Sequence, residues 1–132
     1  MVIVLVDTSS LYALLDEDDG NHERAARAWP DILDTHHLVT HTYVVVETSA
    51  LLQRRLGMGA AERLHAAVLP AIGCITVDRS AHDRAVSRWR ATRRRDLSLV
   101  DVVSFDLMET SGISAAFAFD EDFREAGFEL VG

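Results

Sequence analysis

At 132 residues, 48% of them hydrophobic and 26% charged, the chain has the length for one domain with a real core and not for two ordinary ones. Only two prolines and seven glycines exclude a fibrous or low-complexity polymer, and the single cysteine excludes an internal disulfide framework or a multi-cysteine zinc site. A net charge of −8 opposes attraction of a polyanion by the overall field, yet an excess of acids is what a multivalent cation site requires; every basic side chain besides histidine is arginine.

The run VIVLV at 2–6 is β-branched and continuously apolar, as expected of a parallel strand buried on both faces. It meets Asp7 after five apolar positions, too soon for a signal peptide, and nothing later spans a membrane, so a cytoplasmic protein is expected. Ser9 or Ser10 is expected to cap a short helix through Leu15, and the acidic run at 16–19 to form a solvated turn. A helix over 22–34, a strand over 38–41 and a helix over 43–56 stopped by Gly57 follow. Residues 59–69 read as helix up to Pro70, 74–77 as strand, 80–90 as helix and 99–111 as helix ended by Gly112. Residues 113–119 and 128–131 read as the last two strands. Helices alternating with strands predict one α/β domain over residues 1–132, with a parallel, doubly wound sheet of about five strands.

Four acids acquire meaning from position. Asp7 and Asp120 each follow a predicted buried strand, and open parallel sheets bind ligands at the carboxyl ends of their strands. An aspartate there can also merely cap the next helix. Glu47 falls on the margin of the apolar stripe of its helix, where it either overlooks the sheet or pairs with a neighbour such as Arg54. Asp101 shares a helix face with Ser104, Phe105 and Met108, directed at the core, while Asp106, Glu109 and Thr110 occupy the polar face. A carboxylate facing a core needs compensation, by a metal, by hydrogen bonds or by a shifted pKa. Ser98 and Asp101 also match a capping box, and the two roles are compatible. Acids converging without a cation repel one another; a hard dication, Mg²⁺ or Mn²⁺, resolves the conflict and supports phosphodiester hydrolysis.

The segments DTSSL at 7–11 continuing into ALLDEDDGNHERA, VVVETSALL around Glu47, LSLVDVVSFDLM around Asp101 and FAFDEDF around Asp120 together resemble the PIN-domain family over nearly the whole chain. Length and pattern are most similar to the VapC-like toxins, small ribonucleases of toxin–antitoxin pairs. The resemblance implies a PIN-like three-layer fold, Mg²⁺- or Mn²⁺-dependent RNA cleavage, a homodimer, and inhibition by a cognate antitoxin crossing the active site. It assigns Asp7, Glu47, Asp101 and Asp120 as the catalytic acids, with Asp7, Asp101 and Asp120 on the metal and Ser9 and Ser104 in support. Asp122 replaces or supplements Asp120, a choice the pattern leaves open. Arg54, Arg93, Arg94 and Arg95 are the arginines available to RNA phosphates or to an acidic antitoxin segment, with a plain solvated basic loop as the equal alternative for the last three. Of the six histidines, which show no metal-binding spacing, only His41, near the end of its strand, is placed to approach the site, with a purely structural role as the expected alternative, and Leu11, Tyr12, Leu14 and Leu15 serve the core or a dimer contact.

Two other readings are distinguishable. An aspartate-based phosphotransfer domain also places aspartates at strand ends but depends on a lysine, which this chain lacks, and the phosphatase version expects an acid where Ser9 stands. A PIN fold that only binds partners would retain the architecture and fail to cleave RNA.

Overall fold

The computed structural model describes all of residues 1–132. Strand β1 (Val2–Val6) leads into α1 (Thr8–Leu15) and α2 (His22–Thr35), then β2 (His36–His41), α3 (Thr42–Leu56) and α4 (Met58–Arg63). Next come β3 (Gly73–Ile75), α5 (Arg79–Thr92), α6 (Leu99–Ser111), β4 (Ala115–Phe117), α7 (Asp122–Glu125) and β5 (Glu129–Leu130). The five strands form one wholly parallel sheet in the order β3-β2-β1-β4-β5. This is the expected three-layer architecture, and alternation along the strands builds it. Val4 and Val6 of β1, with Ala115 and Phe117 of β4, face the α1–α4 layer; Leu5 and Ala116 face α5, α6 and Phe123 of α7.

The departures from expectation are local. Asp7, not Ser9 or Ser10, is the N-cap of α1: its carboxylate accepts the Ser9 N–H. The helix expected to run over 59–69 ends at Arg63, continues as a wider π segment (Leu64–Val68) and tightens into a 3₁₀ turn (Leu69–Ala71), because Pro70 lacks an N–H and its ring crowds the preceding carbonyls. Strand β4 covers only Ala115–Phe117 of the expected 113–119. Its start is shortened because the Ile113 N–H closes the end of α6 on Met108 O, and its end because the Phe119 N–H goes to the Ser9 hydroxyl. Asp106 is buried rather than on a solvated face, since α5 packs there and Arg84 meets its carboxylate at 3.2 Å.

Candidate active site

From β1 at the centre of the sheet the chain winds outward through β2 and β3 on one side, then returns to β4 and β5 on the other. The strand order therefore reverses between β1 and β4, and a crevice opens at their carboxyl ends. Ser10 Oγ, 2.6 Å from Phe117 O and 2.9 Å from Asp7 O, ties the two strand ends together. Asp7 sits here, 4% exposed, accepting from Ser9 Oγ at 2.7 Å and Ser9 N at 3.1 Å. Ser9 Oγ in turn receives the Phe119 N–H at 3.0 Å, so one serine joins the Asp7 carboxylate to the segment carrying Asp120.

Across the crevice, Asp101 stands on the first turn of α6. The capping box is present in full: the Asp101 N–H donates to Ser98 Oγ at 3.1 Å, and its carboxylate accepts the Ser98 N–H at 3.2 Å. The same residue also joins an acidic cluster. Carboxylate oxygens of Asp101, Asp120 and Asp122 all lie within 4.8 Å of one another. The Asp122 N–H donates to Asp120 Oδ1 at 2.9 Å, a local turn that folds the two acids onto one side. Asp7 and Glu47 are outside this mutually close set but act on it through charge.

The electrostatics follow from burial and repulsion. Burial raises Asp7 to a pKa of about 6; the Ser9 hydrogen bonds oppose this and the Asp101 charge adds to it. Asp101 is also pushed up to about 6, first by burial, against the Ser98 hydrogen bonds, with Asp120 and Glu47 adding repulsion. Asp120 is raised by burial and then by the Asp122 charge. Glu47 is half-buried and forms neither an ion pair nor a hydrogen bond, and Arg54 is exposed and equally unpaired.

Ser104 differs in role from expectation, and the residues left open by the sequence take defined places. Ser104 is fully buried and touches none of the acids; its hydroxyl bonds His41 Nε2 at 2.8 Å and Val100 O at 3.1 Å. His41 is core: Nδ1 accepts the Tyr43 and Val44 N–H groups as the cap of α3, which leaves Nε2 protonated and donating to Ser104. Burial lowers its pKa to about 4, so it is neutral near pH 7. Leu11 and Tyr12 are buried, whereas Leu14 and Leu15 line a surface groove with Leu56.

Arg94 is the residue whose part in the site the spacing did not reveal. Its guanidinium binds Asp96 in a two-pronged contact and also Asp122 Oδ1 at 3.0 Å, so one cation does stand beside the acids. That contact spans 28 positions, beyond any local pattern, although the RRRD run at 93–96 marked the segment as charged. Arg93 and Arg95 make no ion pair.

The donor set fits a hard dication. Three convergent carboxylates, two further acids pressing on them and pKa values raised by burial make a site that is unfavourable when fully ionised and relieved by a cation bound through oxygen. No histidine or cysteine joins the cluster, which argues against a soft transition-metal site. Beside it lies a groove of about 460 Å³ lined by Ser9, Tyr12, Asn21, Arg55, Phe119 and Asp120, among others.

The PIN domain family model matches residues 4–129. The sequence is 36% identical over 135 aligned positions, 98% of each chain, to the 23S rRNA-specific endonuclease VapC20 of Mycobacterium tuberculosis. The crystal structure of Mycobacterium tuberculosis VapC20, described as a Sarcin-Ricin loop cleaving toxin, matches with a TM-score of 0.84 at 34% identity, covering 95% of both chains. The crystal structure of FitAcB from Neisseria gonorrhoeae shares the fold, with a TM-score of 0.68 at 18% identity over 98% of this chain and 96% of that one.

Proposed function

The chain belongs to the PIN domain family, and from that premise we propose that it is a metal-dependent endoribonuclease, the toxin of a toxin–antitoxin pair that inhibits translation or growth. The observation that carries the reading is the convergence of Asp101, Asp120 and Asp122 beside buried Asp7 at the reversal of strand order. Asp101 and Asp120 would hold Mg²⁺, or Mn²⁺ in its place, with Asp7 on the β1 side and Asp122 on the other. When bound, such an ion polarises a phosphate oxygen and makes an attacking water more acidic. Ser9 fixes the Asp7 carboxylate and the Phe119 backbone in one arrangement, so the acids on both strand ends keep their spacing. Glu47, unpaired and half-buried, is the carboxylate free to take a proton from the attacking water.

The similarity to a 23S rRNA-specific endonuclease supports ribosomal RNA as the substrate, with the sarcin–ricin loop as the first site to test. The same likeness supports a cognate antitoxin as protein partner. A homodimer is part of the same reading, and Leu14, Leu15 and Leu56, in a groove of about 610 Å³ shared with Asp16, Glu17, Asp18, His22 and Arg63, are the apolar side chains it would draw on. No helix is long and apolar enough to cross a membrane, and a cytoplasmic location is the one in which ribosomes are met.

The test is cleavage of an RNA stem-loop carrying the sarcin–ricin sequence by purified, antitoxin-free protein. Cleavage should appear with Mg²⁺ or Mn²⁺, vanish with excess EDTA and return when the ion is restored. Full activity in EDTA would overturn the metal-dependent mechanism, and no cleavage of any RNA with Mn²⁺ would leave a fold that only binds partners.

A further inference from the structure

At the far end of α5, Trp89, Arg90, Arg93, Arg94 and Arg95 line a surface pocket of about 260 Å³. Its composition is singular in this chain. The protein carries 21 acidic residues and a net charge of −8, and no other of its principal pockets is lined by so many arginines. Arg90, Arg93 and Arg95, like several other arginines of the chain, form no ion pair, but these three stand around one pocket. Trp89 is 41% exposed among them, an indole that burial in the core does not account for. Arg93 is also the only non-glycine residue with positive φ, at 55°, as the left-handed C-cap that ends α5 where the three successive arginines begin. Arg94 links the two places, because it lines this pocket while its guanidinium binds Asp122 of the acidic cluster.

We propose that this pocket is a subsite for an unpaired nucleotide of the RNA substrate, its base stacked on Trp89 and its flanking phosphates held by Arg90, Arg93 and Arg95. The inference rests on the ribonuclease reading and extends it to how RNA is selected. Stacking on an exposed aromatic ring requires a base freed from its helix, so the subsite favours loops and bulges over continuous duplex. Unpaired guanidiniums supply the local attraction that the overall negative charge of the protein opposes. Arg94, engaged by Asp96 and Asp122, marks the border where the strand passes from the subsite to the acids.

Fluorescence tests this directly, since the only other tryptophan, Trp29, packs on Phe117 and can be replaced in a Trp29→Phe background. In EDTA, where no cleavage occurs, short single-stranded RNA should quench Trp89, while an RNA duplex of the same length and an abasic phosphodiester strand should not. Trp89→Ala, made in the otherwise unaltered chain, should weaken binding of single-stranded RNA on the order of tenfold, and Trp89→Phe should restore most of it. Arg93→Ala with Arg95→Ala should flatten the log–log salt dependence by about 0.7 for each phosphate no longer neutralised, which Trp89→Ala should leave alone. A silent Trp89, or equal affinity in wild type and Trp89→Ala, overturns the subsite. Quenching by an aspartate-rich peptide and not by RNA overturns it in favour of a protein partner. Metal-dependent cleavage together with a silent Trp89 removes the subsite alone. RNA-specific quenching without cleavage in Mn²⁺ supports the subsite and removes the nuclease reading.

Discussion

Asp7 caps a helix and lines a crevice at once, and the two duties respond differently to charge. With its pKa raised from the ordinary 3.8 to about 6, the protonated form is favoured by folding. The stability it contributes is full below about pH 4 and is lost as pH rises through 6, so at neutral pH the ionised group costs the metal-free fold about 3 kcal/mol. Asp7→Asn keeps an oxygen for the Ser9 N–H and removes the charge. In EDTA at pH 8 the variant should melt several degrees above wild type, and the gap should close towards pH 4. His41, whose pKa is held near 4, weakens the fold in the opposite sense as pH falls below its usual range, but equally in both proteins. A variant that melts with or below wild type at pH 8 would mean that Asp7 bears no such load.

Ion pairs between elements differ from those within one, and α5 carries both kinds. Arg84 reaches from α5 to Asp106 of α6, where the acid side chain is 13% exposed, whereas Arg79 meets Asp83 one turn along α5 with both groups in water. Arg84→Ala strands a largely buried carboxylate and should destabilise the protein by about 1–3 kcal/mol in denaturant melts. Arg79→Ala should cost no more than about 0.5 kcal/mol. Comparable losses for the two would show that burial of Asp106 does not set the strength of the α5–α6 contact. This matters to the site because α6 presents Asp101, and Arg88–Glu109 adds a second, more exposed tie between the same helices.

For the molecule as a whole, the segments that follow β1 and β4, together with α3, α6 and α7, each contribute an acid, so the crevice gathers like charges from elements that must pack together. A divalent cation bound there should act as a staple, raising the melting temperature with its concentration, since a ligand stabilises the native state according to its occupancy. Asp101→Asn should remove most of that rise, while the apo protein keeps or gains stability because asparagine still accepts from Ser98 and no longer repels Asp120. Melting curves of both proteins in EDTA and in excess Mn²⁺ make the comparison. A lower apo melting temperature with an undiminished response to Mn²⁺ would reduce Asp101 to a helix cap.

The layered α/β fold was legible because its information is local and periodic. The VIVLV run, glycine stops at 57 and 112 and the Ser98–Asp101 spacing are written in adjacent residues, and the strand-end positions of Asp7 and Asp120 follow from them. The family resemblance drew on the same local segments. The partners that tertiary packing alone decides were not legible: Ser104 with His41 rather than with an acid, Asp106 with Arg84 rather than with solvent, and Arg94 with Asp122. Asp122, held open as an alternative to Asp120, lies together with it and Asp101, because the 120–122 turn folds both carboxylates to one side. Sequence determined which side chains lie near the ends of the strands, since the backbone period sets that directly. Only the folded chain decided which of them meet, because a hydrogen bond or ion pair depends on distances of a few ångströms between residues that lie dozens of positions apart.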